Sequence, residues 1–259
     1  TVTLVAALAD DAPADRLRHI LSDEHVGLCE LHWDGTTVEK IRIRAAEVPM
    51  LRLDRGAGSV AAIVGPVTAQ RVEAAITGAD AVLVADYGRG VADHPLVRAA
   101  LARARERGVA VVWDPHPRGS TPLAGSTLAC PNRAEAERLA GAGAHGQEPA
   151  PGVAPVVLGD GAPLTVPVLQ PVDAGDTCGA GDAFAAAATV ALARGAVVSE
   201  AVQQAVAAAA SFVAGGGAAG MGPVRAARPE APRPEGRVVA TGGCFDILHP
   251  GHVHTIRAA

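Results

Sequence analysis

The chain of 259 residues is long enough for one large domain, or one plus a piece of another, and can bury a substantial core. Hydrophobic residues make up 49% and charged residues 19%, against ~25% charged in an average soluble domain, which excludes disorder for the chain as a whole. A net charge of −5 with 2% aromatic residues argues against a dedicated nucleic-acid binder, which needs a basic face and stacking rings.

No apolar run reaches the ~18 residues that cross a bilayer without a break by Gly, Pro or charge; the alanine-rich stretches 183–193 and 205–214 are too short. Thr1 to Ala7 lack the basic region and cleavage pattern of a secretion signal. Cys29, Cys130, Cys178 and Cys244 lie far apart with no C-x-x-C pair, which disfavours a disulfide framework and a zinc site. The expectation is a cytoplasmic enzyme with neither nucleic acid nor membrane as partner and no direct metal ligands.

In chain order, Val2 to Ala7 reads as a strand and Ala14 to Leu21 as a helix; Ala81 to Ala85, Leu96 to Arg107 and Val109 to Trp113 repeat the alternation. Strands alternating with helices predict βαβ units around a parallel sheet. Between them, Leu28 to Trp33 and Val38 to Arg44 alternate apolar with polar residues, which suits strands with one wet face. The region 27–54 is therefore expected to form a small antiparallel flap outside the main sheet. Further on, Ala180 to Ala193 and Ser199 to Ala214 read as alanine-rich helices, the second with Ser199 as N-cap. Residues 215–236 carry Gly-Gly-Gly and prolines 223, 229, 232 and 234, the composition of a linker.

The most informative segment is Asp176-Thr177-Cys178-Gly179-Ala180-Gly181-Asp182, which leads directly into a helix. Small residues let backbone N–H groups approach a ligand closely, and the helix N-terminus adds about half a positive charge. The loop can thus hold developing phosphate charge. A carboxylate at the same helix start would compete with an anion, so Asp182 needs its own explanation: it could accept a proton from a hydroxyl attacking a γ-phosphate. A plain helix cap with a glycine turn would explain one or two glycines and an Asp, but not the remaining residues.

D-T-x-G-A-G-D entering a small-residue helix resembles the signature of the ribokinase-like, or phosphofructokinase-B, carbohydrate kinases. The resemblance implies a three-layer α/β/α fold with a mainly parallel sheet, Asp182 as base, Gly179, Ala180 and Gly181 as anion hole, and Mg-ATP as phosphoryl donor. Asp176 and Thr177 would help organise the phosphates. Cys130-Pro131-Asn132-Arg133-Ala134-Glu135 is similar to the family's N-x-x-E element, in which Asn132 and Glu135 would organise Mg²⁺ and phosphates through water; Asn before a helix is also an ordinary cap. Val157-Leu158-Gly159-Asp160-Gly161 resembles the family's strand and turn beside adenine, with Gly159, Asp160 and Gly161 as nucleotide loop. Lys40 is the only lysine, so no G-K-[ST] phosphate loop exists. No G-x-G-x-x-G follows a strand as in a dinucleotide fold, which disfavours a dehydrogenase.

Residues 237–259 resemble the opening βα unit of a cytidylyltransferase-like nucleotidyltransferase. A strand, a turn and H-x-G-H follow one another, carried by Thr241, Gly242, Phe245, Asp246, His249, Gly251 and His252. Imidazoles three residues apart near a helix start can stabilise a triphosphate as pyrophosphate leaves. A rival reading takes His249, His252 and His254 as metal ligands, with no carboxylate or thiol nearby except Asp246 and Cys244. The expected organisation is a kinase domain over 1–214, lacking the family's first strand and G-G-x-x-N sugar element, a linker over 215–236 and an incomplete nucleotidyltransferase start over 237–259.

A sugar kinase joined to such a unit is similar to the family of bifunctional heptose 7-phosphate kinase/heptose 1-phosphate adenylyltransferases. Met50-Leu51-Arg52-Leu53-Asp54 matches its R-L-D segment. Val84-Ala85-Asp86-Tyr87-Gly88-Arg89-Gly90 matches S-D-Y-x-K-G with Arg89 for Lys, and Val112-Trp113-Asp114-Pro115 matches D-P-K with His116 for Lys. Arg52, Asp54, Asp86 and Arg89 fit ordinary loop or strand-end charges equally well. The resemblance implies phosphorylation of heptose 7-phosphate at C1 in ADP-heptose biosynthesis; the alternative is an inactive fragment or a fold-related scaffold. The flap fits a homodimer contact and a lid over substrate alike.

Overall fold

A computed structural model describes residues 1–45, 48–132, 135–136, 153–156, 164–167 and 177–217. The expected nucleotide loop 159–161, Asp176, the linker beyond residue 217 and all of 237–259 lie outside the described residues.

Strand β1 (Thr3–Leu8), helix α1 (Ala12–Asp23) and strand β2 (Gly27–Gly35) form a first βαβ unit, with β1 and β2 parallel. The helix starts earlier than its apolar pattern suggests because Asp11 caps it, accepting the Ala14 N–H at 3.0 Å. The other oxygen of Asp11 accepts the Thr37 N–H at 2.7 Å. That bond heads the causes that hold the Asp11 carboxyl below its usual range.

The assignment of 28–33 to the flap is corrected here. These residues are the core of β2, with Cys29, Leu31 and Trp33 buried at 7%, 1% and 4% exposure. The alternation did report one covered face, but a parallel neighbour on the edge satisfies that pattern as well as a hairpin does. The hairpin itself is β3 (Glu39–Ala45) paired antiparallel with β4 (Val48–Arg55), with a register shift after Ile43. β5 (Gly58–Val60) returns antiparallel to β2.

After α2 (Pro66–Thr77), which carries Pro66 at its first turn as helix starts allow, β6 (Ala81–Ala85), α3 (Pro95–Glu106) and β7 (Ala110–Asp114) make a second βαβ unit. β6 and β7 are parallel, and β8 (Leu128–Ala129) adds a third parallel strand beside β7. β9 (Val153–Val156) and β10 (Leu164–Pro167) pair antiparallel. The chain then enters α4 (Ala180–Ala193) and α5 (Val198–Ala214). Ser199 is not the cap of α5. The helix begins one residue before it, capped at Val197, whose N–H is taken by the Glu200 carboxylate at 3.4 Å.

β7 shows why the architecture has three layers. Val111, Val112 and Trp113 are all fully buried, so both faces of the strand are covered. Val111 and Trp113 join Val72, Ile76, Val97 and Leu101 of α2 and α3 in one core. Val112 joins Ala188, Val202, Ala205 and Val206 of α4 and α5 in the other. Alanine at the α4–α5 contact lets those helices approach closely. Leu31 and Cys29 of β2 share the α2/α3 core with Val84 of β6, which ties the two parallel sheets to one helical layer.

Candidate active site

In parallel sheets, ligands bind in the crevice beyond the C-terminal strand ends. Here those ends carry Tyr87 after β6, Asp114 at the end of β7, and Cys130 to Asn132 after β8. α4 packs against β6 and β7, and its first turn brings Asp182 to the same place. The decisive contact is direct: the Tyr87 hydroxyl donates to Asp182 Oδ1 at 3.0 Å. Asp182 itself is exposed, so its carboxylate faces outward rather than into packed protein.

The glycine loop turns as the sequence requires. Gly179 has φ of 91°, left-handed, which favours glycine, and a Cβ there would lie 3.1 Å from Phe212 Cζ, a tight contact that the ring would have to yield to. At Gly181 a Cβ would meet nothing within 4 Å. Packing does not require glycine there, and the missing side chain leaves the backbone open to close approach. One expected donor is already used: the Ala180 N–H bonds the Thr177 carbonyl at 3.0 Å. Among the described residues, neither the Gly179 nor the Gly181 N–H meets an acceptor, which leaves these two of the three expected anion-hole amides. Thr177 is exposed beside them.

Asn132 and Glu135 are placed, but as a reciprocal cap. Asn132 Oδ1 accepts the Glu135 N–H at 3.0 Å, and Glu135 Oε2 accepts the Asn132 N–H at 2.9 Å, the capping-box geometry. Each keeps a second polar atom outside that exchange. Glu135 is buried at 6% exposure, and its charge reaches Asp114. Burial first, then the charges of Asp182 and Glu135, push the Asp114 carboxyl up to about 6. Burial, followed by the negative charge of Asp182, raises the Tyr87 phenol to about 12. Burial and then Asp114 raise the Cys130 thiol to about 12, which keeps it protonated and inert.

Of the strand-end charges, Asp86 proves structural. It is 7% exposed and accepts from the Gly88 N–H at 2.7 Å, the Ser120 N–H at 2.8 Å and the Ser120 hydroxyl at 3.1 Å. It thereby locks the 86–90 turn to the 116–120 turn. Arg52 and Asp54 form an exposed ion pair at 3.1 Å on β4, a surface contact of small energy. Tyr87 and Asp114 stand within the motifs at 84–90 and 112–115, to which the sequence alone assigns no role for them; their position at strand ends is the signal that marks them.

The family pattern described as pfkB family carbohydrate kinase matches residues 1–224. The chain belongs to the pfkB family of carbohydrate kinases. Among similar proteins, the bifunctional protein HldE of Streptomyces coelicolor is 40% identical over 303 residues, covering 100% of this chain and 61% of the relative. The bifunctional protein HldE of Caulobacter vibrioides is 34% identical over 301 residues, covering 96% of this chain and 61% of that protein. The chain thus spans about three fifths of the length of these relatives. Among solved structures, an adenosine kinase from Schistosoma mansoni in complex with 2-fluoroadenosine superposes with a TM-score of 0.60 at 16% identity, over 83% of this chain and 74% of that one. A ribokinase from Thermotoga maritima gives 0.56 at 18% identity, over 82% and 74%. At such identities the structures establish the shared ribokinase-like fold, which is the α/β architecture described above.

Proposed function

We propose that this pfkB-family chain transfers the γ-phosphoryl group of ATP to a sugar phosphate, with the anomeric hydroxyl of heptose 7-phosphate as acceptor and the 1,7-bisphosphate as product. The observation that carries the reading is the exposed Asp182 carboxylate beside two N–H groups of a helix N-terminus, Gly179 and Gly181. The acceptor proton passes to Asp182 as the acceptor oxygen bonds to phosphorus. The bond from phosphorus to the β,γ-bridging oxygen breaks, and its electron pair leaves on ADP. The two amides and the helix dipole meet the charge that builds on the moving phosphoryl group. An anomeric hydroxyl is more acidic than an ordinary alcohol, which suits a carboxylate base.

The heptose acceptor is supported by the segments 50–54, 84–90 and 112–115, which resemble the bifunctional heptose enzymes. The division into a kinase domain over 1–214, a linker over 215–236 and a nucleotidyltransferase start over 237–259 is supported by the Gly/Pro-rich composition of 215–236 and the H-x-G-H motif at 249–252. Among the described residues no group of three or more His, Cys, Asp or Glu is placed to hold a metal ion. Mg²⁺ keeps several waters and binds through one or two carboxylates plus nucleotide phosphates. Asp114 and Glu135 are the carboxylates that would hold it; burial first and then the charges of Asp182 and Glu135 raise Asp114, and a divalent cation would relieve the charge repulsion. When bound, the ion would neutralise charge on the β- and γ-phosphate oxygens.

Asp182→Asn keeps the shape of the site but removes the proton acceptor. Turnover of ATP with heptose 7-phosphate is expected to fall by about 10² to 10⁴, with ATP binding retained in isothermal titration. Wild-type turnover in that variant removes Asp182 from the chemistry. Absence of both nucleotide binding and turnover in the unmutated chain would select the scaffold reading instead.

A further inference from the structure

We propose that Tyr87 is a positioning residue for Asp182, holding one carboxylate oxygen so that the other is presented to the glycine loop. The inference rests on the reading of Asp182 as base and concerns how that base is aimed. Asp182 stands exposed on the first turn of α4, where a carboxylate would otherwise rotate freely. Its Oδ1 accepts the Tyr87 hydroxyl at 3.0 Å. Its Oδ2 lies toward the loop, 4.0 Å from where a Cβ on Gly179 would stand. One oxygen is thus engaged while the other faces the turn that carries the Gly179 and Gly181 amides.

The support for Tyr87 is itself rigid. The neighbouring Asp86 is buried and accepts three hydrogen bonds, two of them from Ser120 across the turn. The backbone that carries the phenol is thereby anchored beyond β6, while the ring itself is 57% exposed and is held at its hydroxyl by Asp182. In the transfer the acceptor proton goes to Oδ2, and Tyr87 keeps its own proton throughout. Burial and the Asp182 charge, which raise the phenol to about 12, make it a poor proton donor at neutral pH. Orientation of this kind contributes through the proximity of correctly aligned groups.

Tyr87 is the only tyrosine in the chain, so the full chain labelled with ¹³Cζ-tyrosine gives a single phenol resonance. Asp182→Asn is expected to shift that resonance at neutral pH; an unmoved resonance overturns the contact, and this test needs no turnover. With ATP and heptose 7-phosphate, Tyr87→Phe should lower kcat about tenfold, equal to about 1.4 kcal/mol. The KM for ATP and the thermal midpoint should stay unchanged. In the Asp182→Asn background the same substitution should cost nothing further. Wild-type kcat in Tyr87→Phe, or an equal loss in both backgrounds, overturns the positioning role. If Asp182→Asn is inactive while Tyr87→Phe is unimpaired, only the role of Tyr87 fails; if Asp182→Asn is fully active, the reading of the base fails first.

Discussion

Asp114 closes β7 with its carboxyl partly buried and two other carboxylates, Asp182 and Glu135, acting on it, which together raise it to about 6. A carboxyl whose folded value lies above its unfolded value of 3.8 costs stability once it is ionised. Below the unfolded value it is protonated in both states and costs nothing; the penalty grows as pH rises toward the folded value and is complete above it. Asp114→Asn should therefore stabilise the apo chain at about pH 7 and leave it unchanged at about pH 3.5, read as the difference in urea midpoints between variant and wild type. A gain of equal size at both pH values would mean that packing, not charge, sets the effect. At this same scale, the fates of Asp86 and Asp182 show what residue type alone hides. Both are aspartates next to glycine-containing turns, yet one is buried with three donors and the other is exposed with one.

The stretch from Asn132 to Glu135 illustrates the element scale. A helix start leaves its first N–H groups without partners, and the reciprocal exchange between these two side chains satisfies two donors at once. Asn132→Ala should cost about 1 kcal/mol of stability in urea denaturation. If its role is confined to capping, the Mg²⁺ concentration giving half-maximal ATP turnover should not move. A severalfold increase in that concentration would assign Asn132 to the ion as well. The start of α4 has no side-chain cap, and among the described residues its Gly179 and Gly181 amides meet no acceptor, whereas the exchange at 132 and 135 occupies two. The start of α2, at Gly65, also lacks a side-chain cap, so an uncapped start does not by itself mark a site; the Asp182 carboxylate in the first turn of α4 is what sets that start apart.

At the scale of the whole molecule, the β3–β4 hairpin stands apart from the two cores. Register places Ile41 opposite Leu53 and Ile43 opposite Leu51 on one face. Ile43 remains 45% exposed on that face. The hairpin is tied to α1 through the Arg16–Glu39 ion pair at 2.7 Å, a weak contact. We propose a second copy of this chain as the occupant of the apolar face, since burial of such a face is what homodimer interfaces supply. Sedimentation velocity should show a dimer for the wild type and a monomer for Ile43→Asp; a wild-type monomer at high concentration would leave the hairpin as a lid. Among the described residues no helix is long and apolar enough to cross a membrane.

The alternation of strand and helix, the limits of α4 and the glycine turn ahead of it were legible in the sequence, because each rests on local periodicity or on backbone conformations few residues adopt. The left-handed backbone at Gly179 favours glycine whatever surrounds it. The partner of a strand is not local information: residues 28–33 showed one covered face, and only the fold decided that β1 covers the adjoining edge in parallel. The same holds for the site. Asp182 could be singled out from its own loop, while Tyr87, 95 positions away along the chain, met it only when β6 and α4 packed together. Nor could sequence separate the cap role of Asn132 from a role at phosphate, or show that the Ala180 amide is spent on Thr177. Hydrogen bonds and charge interactions depend on distances in space, and the chain's order constrains those only within a turn or two.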